Sequence, residues 1–194
     1  PKESEDDSVP SGRTKANSQG ALFTDKYKED IPVYNFVLAE FAQKLRPWSS
    51  LKHNELLVAI FTAAPELTAK YFLSNRSFTF EPKLSMTWIG YAAFLFNTMQ
   101  IPLPSRFGDR SRSAKAPPPT SILLDNVIPL PVNQKVLIRC LSSKSNLTSF
   151  FATRIRIVAV EKLAEALKMH EEVSKGKDAV WAEASRRLID AFCQ

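Results

Sequence analysis

The chain has 194 residues, and its 26 lysines and arginines outweigh 20 acidic residues for a formal charge of +6. Five scattered glycines form neither a GxGxxG nor a GxxxxGKS/T run, so the phosphate-cradling nucleotide folds are excluded. Two cysteines and two histidines cannot build a Cys/His zinc site at any standard spacing, and no metal or cofactor is expected. The longest apolar stretch, Met86 to Phe96, is broken by Thr87 and Gly90. It falls well short of the roughly 20 residues a membrane span requires, so no membrane contact is expected. The acidic N-terminus has no secretory h-region, and two distant cysteines read as reduced thiols of an intracellular chain.

Residues 1–30 read as a disordered polar tail. Their larger apolar groups are Val9, Leu22, Phe23 and Tyr27, too few to offset the entropy of ordering. The tail holds five basic and seven acidic residues, net −2, which leaves +8 on residues 31–194. That remainder reads as one α-helical, repeat-like domain cut from a larger protein.

Helical periodicity begins after Pro32. Val33, Phe36, Val37, Phe41 and Leu45 recur at mostly three- and four-residue steps, which predicts a helix with that stripe buried, stopped by Pro47. Ser49 or Ser50 is suited to cap the next helix, with the stripe Leu56, Leu57, Ile60, Phe61 and Ala64. Pro65 and Glu66 suit the first turn of a third helix carrying Leu67, Tyr71 and Phe72. Phe78 to Phe80 reads as an extended connection. Thr87 is suited to cap a helix that is apolar nearly all round, through Trp88, Tyr91, Leu95 and Met99, and therefore central.

A long connecting segment, 102–131, follows, with seven prolines around a basic stretch from Arg106 to Lys115. Within it Thr120 to Ile128 predicts a short helix capped by Thr120 or Ser121. Val136, Leu137, Cys140 and Leu141 mark the next helix, and Asn146 is suited to cap a long one bearing Leu147, Phe150, Phe151, Ile155, Val158, Leu163 and Leu167. Gly176 separates it from a last helix with Val180, Trp181, Ala184, Leu188, Ile189 and Phe192. Period-two alternation is nowhere sustained, so the class is all-α. Successive pairs of roughly 40 residues suit a HEAT- or armadillo-like helical solenoid fragment interrupted by one long proline-bounded basic loop.

No catalytic constellation emerges. His53 reads as a surface or capping side chain, and His170, followed by Glu171 and Glu172, as part of a solvated face. Cys140 sits on an apolar stripe and reads as a small core residue. The basic groups are more informative. Arg106, Arg110, Arg112 and Lys115 share the proline-bounded loop with only Asp109 against them, and a loop can follow phosphates and release counterions. Lys135 and Arg139 stand four apart on one helix face, followed by Lys144, Arg154 and Arg156. These nine cations are the candidate RNA-binding residues. Arg154, close to an apolar stripe, requires an acidic neighbour or a ligand if it is buried. The competing reading is a scaffold whose grooves hold proteins, with no RNA contact in this part.

Three segments carry a family resemblance. They begin at Ile31 (IPVYNFVLAEFAQKLRPWSSLKHNELLVAIFTAAPELTAKYF), at Leu84 (LSMTWIGYAAFLFNTMQIPLP) and at Pro117 (PPPTSILLDNVIPLPVNQKVLIRCL). They resemble the N-terminal region of the nucleolar pre-ribosomal-associated proteins, large helical-repeat factors of early 60S subunit assembly. The resemblance covers roughly 31–194 and brings no catalytic residues with it. It implies a non-enzymatic scaffold in the nucleus and nucleolus. Such a scaffold would bind pre-ribosomal RNA and work beside other early assembly factors, including a DEAD-box RNA helicase, without a small-molecule substrate.

Overall fold

The structure is a computed structural model that describes residues 35–75, 79–103, 117–174 and 179–193. The polar tail, the basic stretch 106–115 and Gly176 lie outside these residues. Eight helices stand among the described residues, and no strand. They are α1 (Phe36–Lys44), α2 (Leu51–Ala63), α3 (Glu66–Ser74), α4 (Met86–Met99), α5 (Thr120–Val127), α6 (Gln134–Leu141), α7 (Asn146–Ser174) and α8 (Ala179–Phe192).

Five of them start on a short polar side chain that accepts a bond from the backbone N–H three residues on, which satisfies one of the orphan donors of the first turn. Asn35 accepts from Leu38, Ser50 from His53, Ser85 from Trp88, Asn133 from Val136 and Ser145 from Thr148. Ser50 is one of the two expected caps. Ser85 and Ser145 replace the expected Thr87 and Asn146, because the helices start two residues and one residue earlier, respectively. α5 follows Pro119 and has no side-chain cap, so neither Thr120 nor Ser121 serves as one. α1 ends at Lys44, with Leu45 already extended. The residue before Pro47 is thereby free of the helical conformation that a following proline disfavours.

α4 is central, as its all-round apolarity predicts: Tyr91, Ala92, Phe94, Leu95 and Met99 are buried, and it packs against α2, α5 and α7. Phe61, Tyr71, Phe72 and Phe94 form an aromatic cluster at its middle, with ring centroids 5.4–6.4 Å apart in edge-on or tilted arrangements that suit the ring quadrupoles. Phe80 stacks on Trp88 at 5.1 Å, and Phe151 of α7 meets Trp88 edge-on. α4 also approaches the Arg46–Ser49 turn closely. A Cβ placed on Gly90 would fall on the Trp48 carbonyl oxygen, so this position takes glycine for space.

α7, 29 residues and about 43 Å long, is the spine. Ala152, Ile155 and Ala159 join the main core, and Ala166 joins a second core with Leu123, Val127 and Leu188. α7 packs on α4, α5, α6 and α8. A regular solenoid unit touches only its sequence neighbours, so these contacts do not establish the expected HEAT- or armadillo-like stacking, while the all-helical class holds.

Two expected stripes are corrected. Phe36 is 71% and Val37 80% exposed, and Phe41 is exposed as well. α1 instead packs through Ala39 and Ala42 with Leu45 just past its end, because small residues let it lie close to α3. On α7, Leu147 and Phe150 are exposed, and the buried stripe runs Thr148, Ala152, Ile155, Ala159, Lys162, Ala166, His170.

Candidate functional site

The nine cations predicted to touch RNA do not form one described cluster. Arg106, Arg110, Arg112 and Lys115 lie outside the described residues. The other five are all exposed, but they face different neighbours. Lys135 and Arg139 of α6 border a cleft of about 250 Å³ with Phe72, Thr79 and Pro131. Arg139 Nη1 pairs there with Glu81 at 2.8 Å, which uses part of its charge. Lys144 stands in the turn between α6 and α7. Arg154 lies over the Phe96 ring, its guanidinium carbon 5.6 Å from the centroid. Because it is exposed, it needs no acidic partner, and the ring face answers its charge. Arg156, two residues on, projects toward the other flank of α7, where it lines the grooves beside α6 and α8. A two-residue step on a helix is about 200°, so Arg154 and Arg156 cannot share a face.

A groove of about 440 Å³ lies between the 128–133 connection, α6, α7 and the end of α8. Ile128, Leu137, Ile138, Val160 and Phe192 line it. It shares Arg156 and Val160 with a shallower trough that reaches Leu141, Thr153, Ile157 and Glu161. The sequence carries no sign of this feature, because its walls come from segments up to 69 residues apart, Leu124 to Cys193, that only the fold brings together.

The buried titratable groups serve structure. Cys140 is fully buried, and its Sγ lies 3.4 Å from the Phe80 carbonyl oxygen as a weak donor. Burial pushes its thiol up to about 11, which suits a core residue and not a nucleophile. His53 is half-buried and accepts a bond from the Arg46 N–H through Nδ1, which ties the α1–α2 turn. His170 is the correction: it is buried, not solvated, with Nδ1 3.0 Å from Ser185 Oγ and its ring edge-on to Trp181. Lys162 is buried too, and donates to the carbonyls of Ile101 at 2.7 Å and Asn126 at 2.6 Å. No group of three or more His, Cys, Asp or Glu suited to a metal ion occurs among the described residues, and none of their helices is long and apolar enough to cross a membrane.

The comparisons with known proteins agree with the resemblance read from the sequence. Residues 2–91, which reach from the tail into the middle of α4, match the Npa1 family model for the N-terminal region of 60S ribosome biogenesis proteins. Over 178 residues, 90% of the chain, it is 26% identical to nucleolar pre-ribosomal-associated protein 1 of Saccharomyces cerevisiae. The chain spans 10% of that protein's length. No solved structure matches it. The chain is thus similar over residues 2–91 to the N-terminal region of 60S ribosome biogenesis proteins, and over most of its length to a nucleolar pre-ribosomal-associated protein.

Proposed function

We propose that this chain is a non-catalytic helical module of early 60S subunit assembly in the nucleolus. In this reading residues 31–194 work as one unit behind a polar tail and form part of a larger helical stack. The module touches pre-ribosomal RNA through phosphates, using Arg106, Arg110, Arg112 and Lys115 of the proline-bounded segment, Lys135, Arg139, Arg154 and Arg156 of the helices, and Lys144 of the turn between α6 and α7. It also holds other assembly factors, a DEAD-box RNA helicase among them. The observation that carries the reading is the charge of +8 on residues 31–194, together with cations exposed on α6, on α7 and in the turn between them. Phosphate contact needs cations that reach outward and does not need them to converge, because each neutralised phosphate releases its own counterions.

Residue-level crosslinking of RNA to the protein in cells tests this. Replacing the four loop cations by Glu should weaken crosslinking and flatten its salt dependence. Doing the same at Lys135, Arg139, Lys144, Arg154 and Arg156 should weaken it further. Unchanged crosslinking in both sets would sink the RNA assignment. The apolar grooves beside Arg156 favour a second reading, in which this part of the chain holds proteins and RNA is bound elsewhere.

A further inference from the structure

We propose that the trough between α6, α7 and the end of α8 is the docking groove for an amphipathic helix of a partner protein, one that carries an acidic residue beside its apolar stripe on one side and a basic residue on the other. The proposal rests on the reading of the chain as a module that works by contact. It starts from what α6 and α7 leave uncovered. α6 buries Val136, Leu137 and Cys140, yet Ile138 is 53% exposed, and Leu141 is exposed beside it. α7 leaves Ile157 and Val160 exposed on the neighbouring flank. The two cavities share Arg156 and Val160 in their walls, so these side chains border adjoining depressions and are not scattered. A contiguous apolar patch of this kind is a mark of an interaction surface.

Length and charge narrow the occupant. Thr153, Ile157 and Val160 form a stripe along α7 spanning seven residue steps, about 10 Å or two helical turns. That is the spacing over which a docked helix places anchors at i, i+3, i+4 and i+7. Arg156 and Glu161 flank this stripe on opposite sides, since five residues turn a helix by about 140°. Neither forms an ion pair among the described residues. A helix laid on the stripe therefore meets a cation along one edge and an anion along the other, the arrangement that selects partners in paired helices. A nucleic acid would meet an apolar floor and an acidic edge, which offers its phosphates one cation and its bases no aromatic platform.

The test is a photo-crosslinker in the groove. Ile157 of the full-length protein is replaced by p-benzoylphenylalanine in cells, and the adduct is mapped to the residue. The expected result is attachment to a helical segment of another protein whose apolar stripe is flanked by an acid and a base. Arg156→Glu should cut the adduct about fivefold or more, and reversing the acid on the partner segment should restore it. Both changes are at exposed positions and leave the helices intact, which circular dichroism checks. An adduct to a nucleotide, to residues 1–34 or 104–116 of the same chain, or to a second copy overturns the proposal. So does the absence of any adduct, or a yield indifferent to Arg156→Glu. If the loop variants lose RNA and Ile157 captures no protein, the groove assignment fails and the RNA reading stands. If Ile157 captures the helix and RNA crosslinking is unmoved by the Glu variants, the reverse holds.

Discussion

Lys162 of α7 donates its ammonium proton to the carbonyl of Asn126 near the end of α5, at 2.6 Å. Asn126 in turn donates to the carbonyl of Pro65 ahead of α3 at 3.3 Å, and Lys162 also reaches the carbonyl of Ile101 just past α4. One buried cation thus closes a polar strut across four helices, placed at carbonyls near helix C-termini, where positive charge is favoured. Burial lowers the Lys162 ammonium to about 8, against 10.5 in the unfolded chain. Between these values the unfolded chain binds more protons, so stability should rise as pH rises from about 8 to 10.5, by about 3 kcal/mol in all. Lys162→Met relieves that penalty and loses two charge-assisted bonds of about 1.5–3 kcal/mol each. The expected net effect near neutral pH is a destabilisation of about 1–2 kcal/mol, with the alkaline rise abolished. Urea midpoints at pH 7, 9 and 10.5 check both parts, and a variant that keeps the rise would show that Lys162 is not its source.

Gly90 presents two opposed expectations. Helix propensity alone makes Gly90→Ala stabilising by about 1 kcal/mol. The new Cβ, however, would meet the Trp48 carbonyl oxygen, which is backbone and has no rotamer to yield. Trp48 is held in place by its edge-on contact with Tyr91 at 6.5 Å. Parting α4 from that turn is expected to cost about 1–3 kcal/mol, so the steric effect decides the sign. Thermal unfolding measures it, and an unchanged or higher midpoint would refute the close approach.

The sequence made α4 easy to place and α7 hard, for one physical reason. Where a helix is buried by large side chains all round, as from Trp88 to Met99, its pattern and its packing coincide. α7 is buried along alanines with Lys162 and His170 in the same row, so a stripe read from its large residues starts on the exposed Leu147 and Phe150, while Leu163 and Leu167 fall at the half-buried edge against the second core. The three- and four-residue steps from Ala152 to His170 were present in the sequence. What was missing was any sign that a lysine and a histidine on those steps would find buried partners in α5 and α8. α1 fails in the same way, through Ala39 and Ala42. The five described cations were legible as residues, but not their dispersal, because the turn of a helix sends Arg154 and Arg156 to different neighbours. The groove was beyond any local pattern.

The two thiols should separate cleanly. Cys140 is buried with its thiol raised to about 11, whereas Cys193 is exposed. A colourimetric thiol reagent is expected to modify one cysteine promptly in the native protein, and the second only on unfolding, because reaction requires an accessible thiolate. Prompt reaction of two equivalents would contradict the placement of Cys140 against Phe80.

His170 gives the acid side of the stability profile. Ser185 Oγ donates to the Trp181 carbonyl at 3.0 Å, so toward His170 it can only accept. The proton therefore sits on Nδ1, and the imidazole is neutral. Its Nε2 is buried with no partner among the described residues, so a second proton would enter an apolar site beside Trp181. Burial accordingly lowers the imidazole below its usual 6.5. The unfolded chain then binds the proton first, and stability falls as pH drops below about 6.5, with the loss complete once the folded form also titrates. The Glu183 carboxylate, held at about 2 by Arg186 and Arg187 on the surface of α8, loses its contribution mainly below its unfolded value of 4.5, so a comparison of pH 7 with pH 5 reads chiefly the histidine. Urea midpoints at pH 7 and pH 5 should therefore differ in the wild type and converge in His170→Asn, whose amide keeps a donor for Ser185 without a titrating ring. Hydrogen exchange read along α8 should quicken at pH 5 relative to the rest of the chain in the wild type alone. A pH 5 loss that persists in the variant would assign it to another group and leave His170 a purely packing residue.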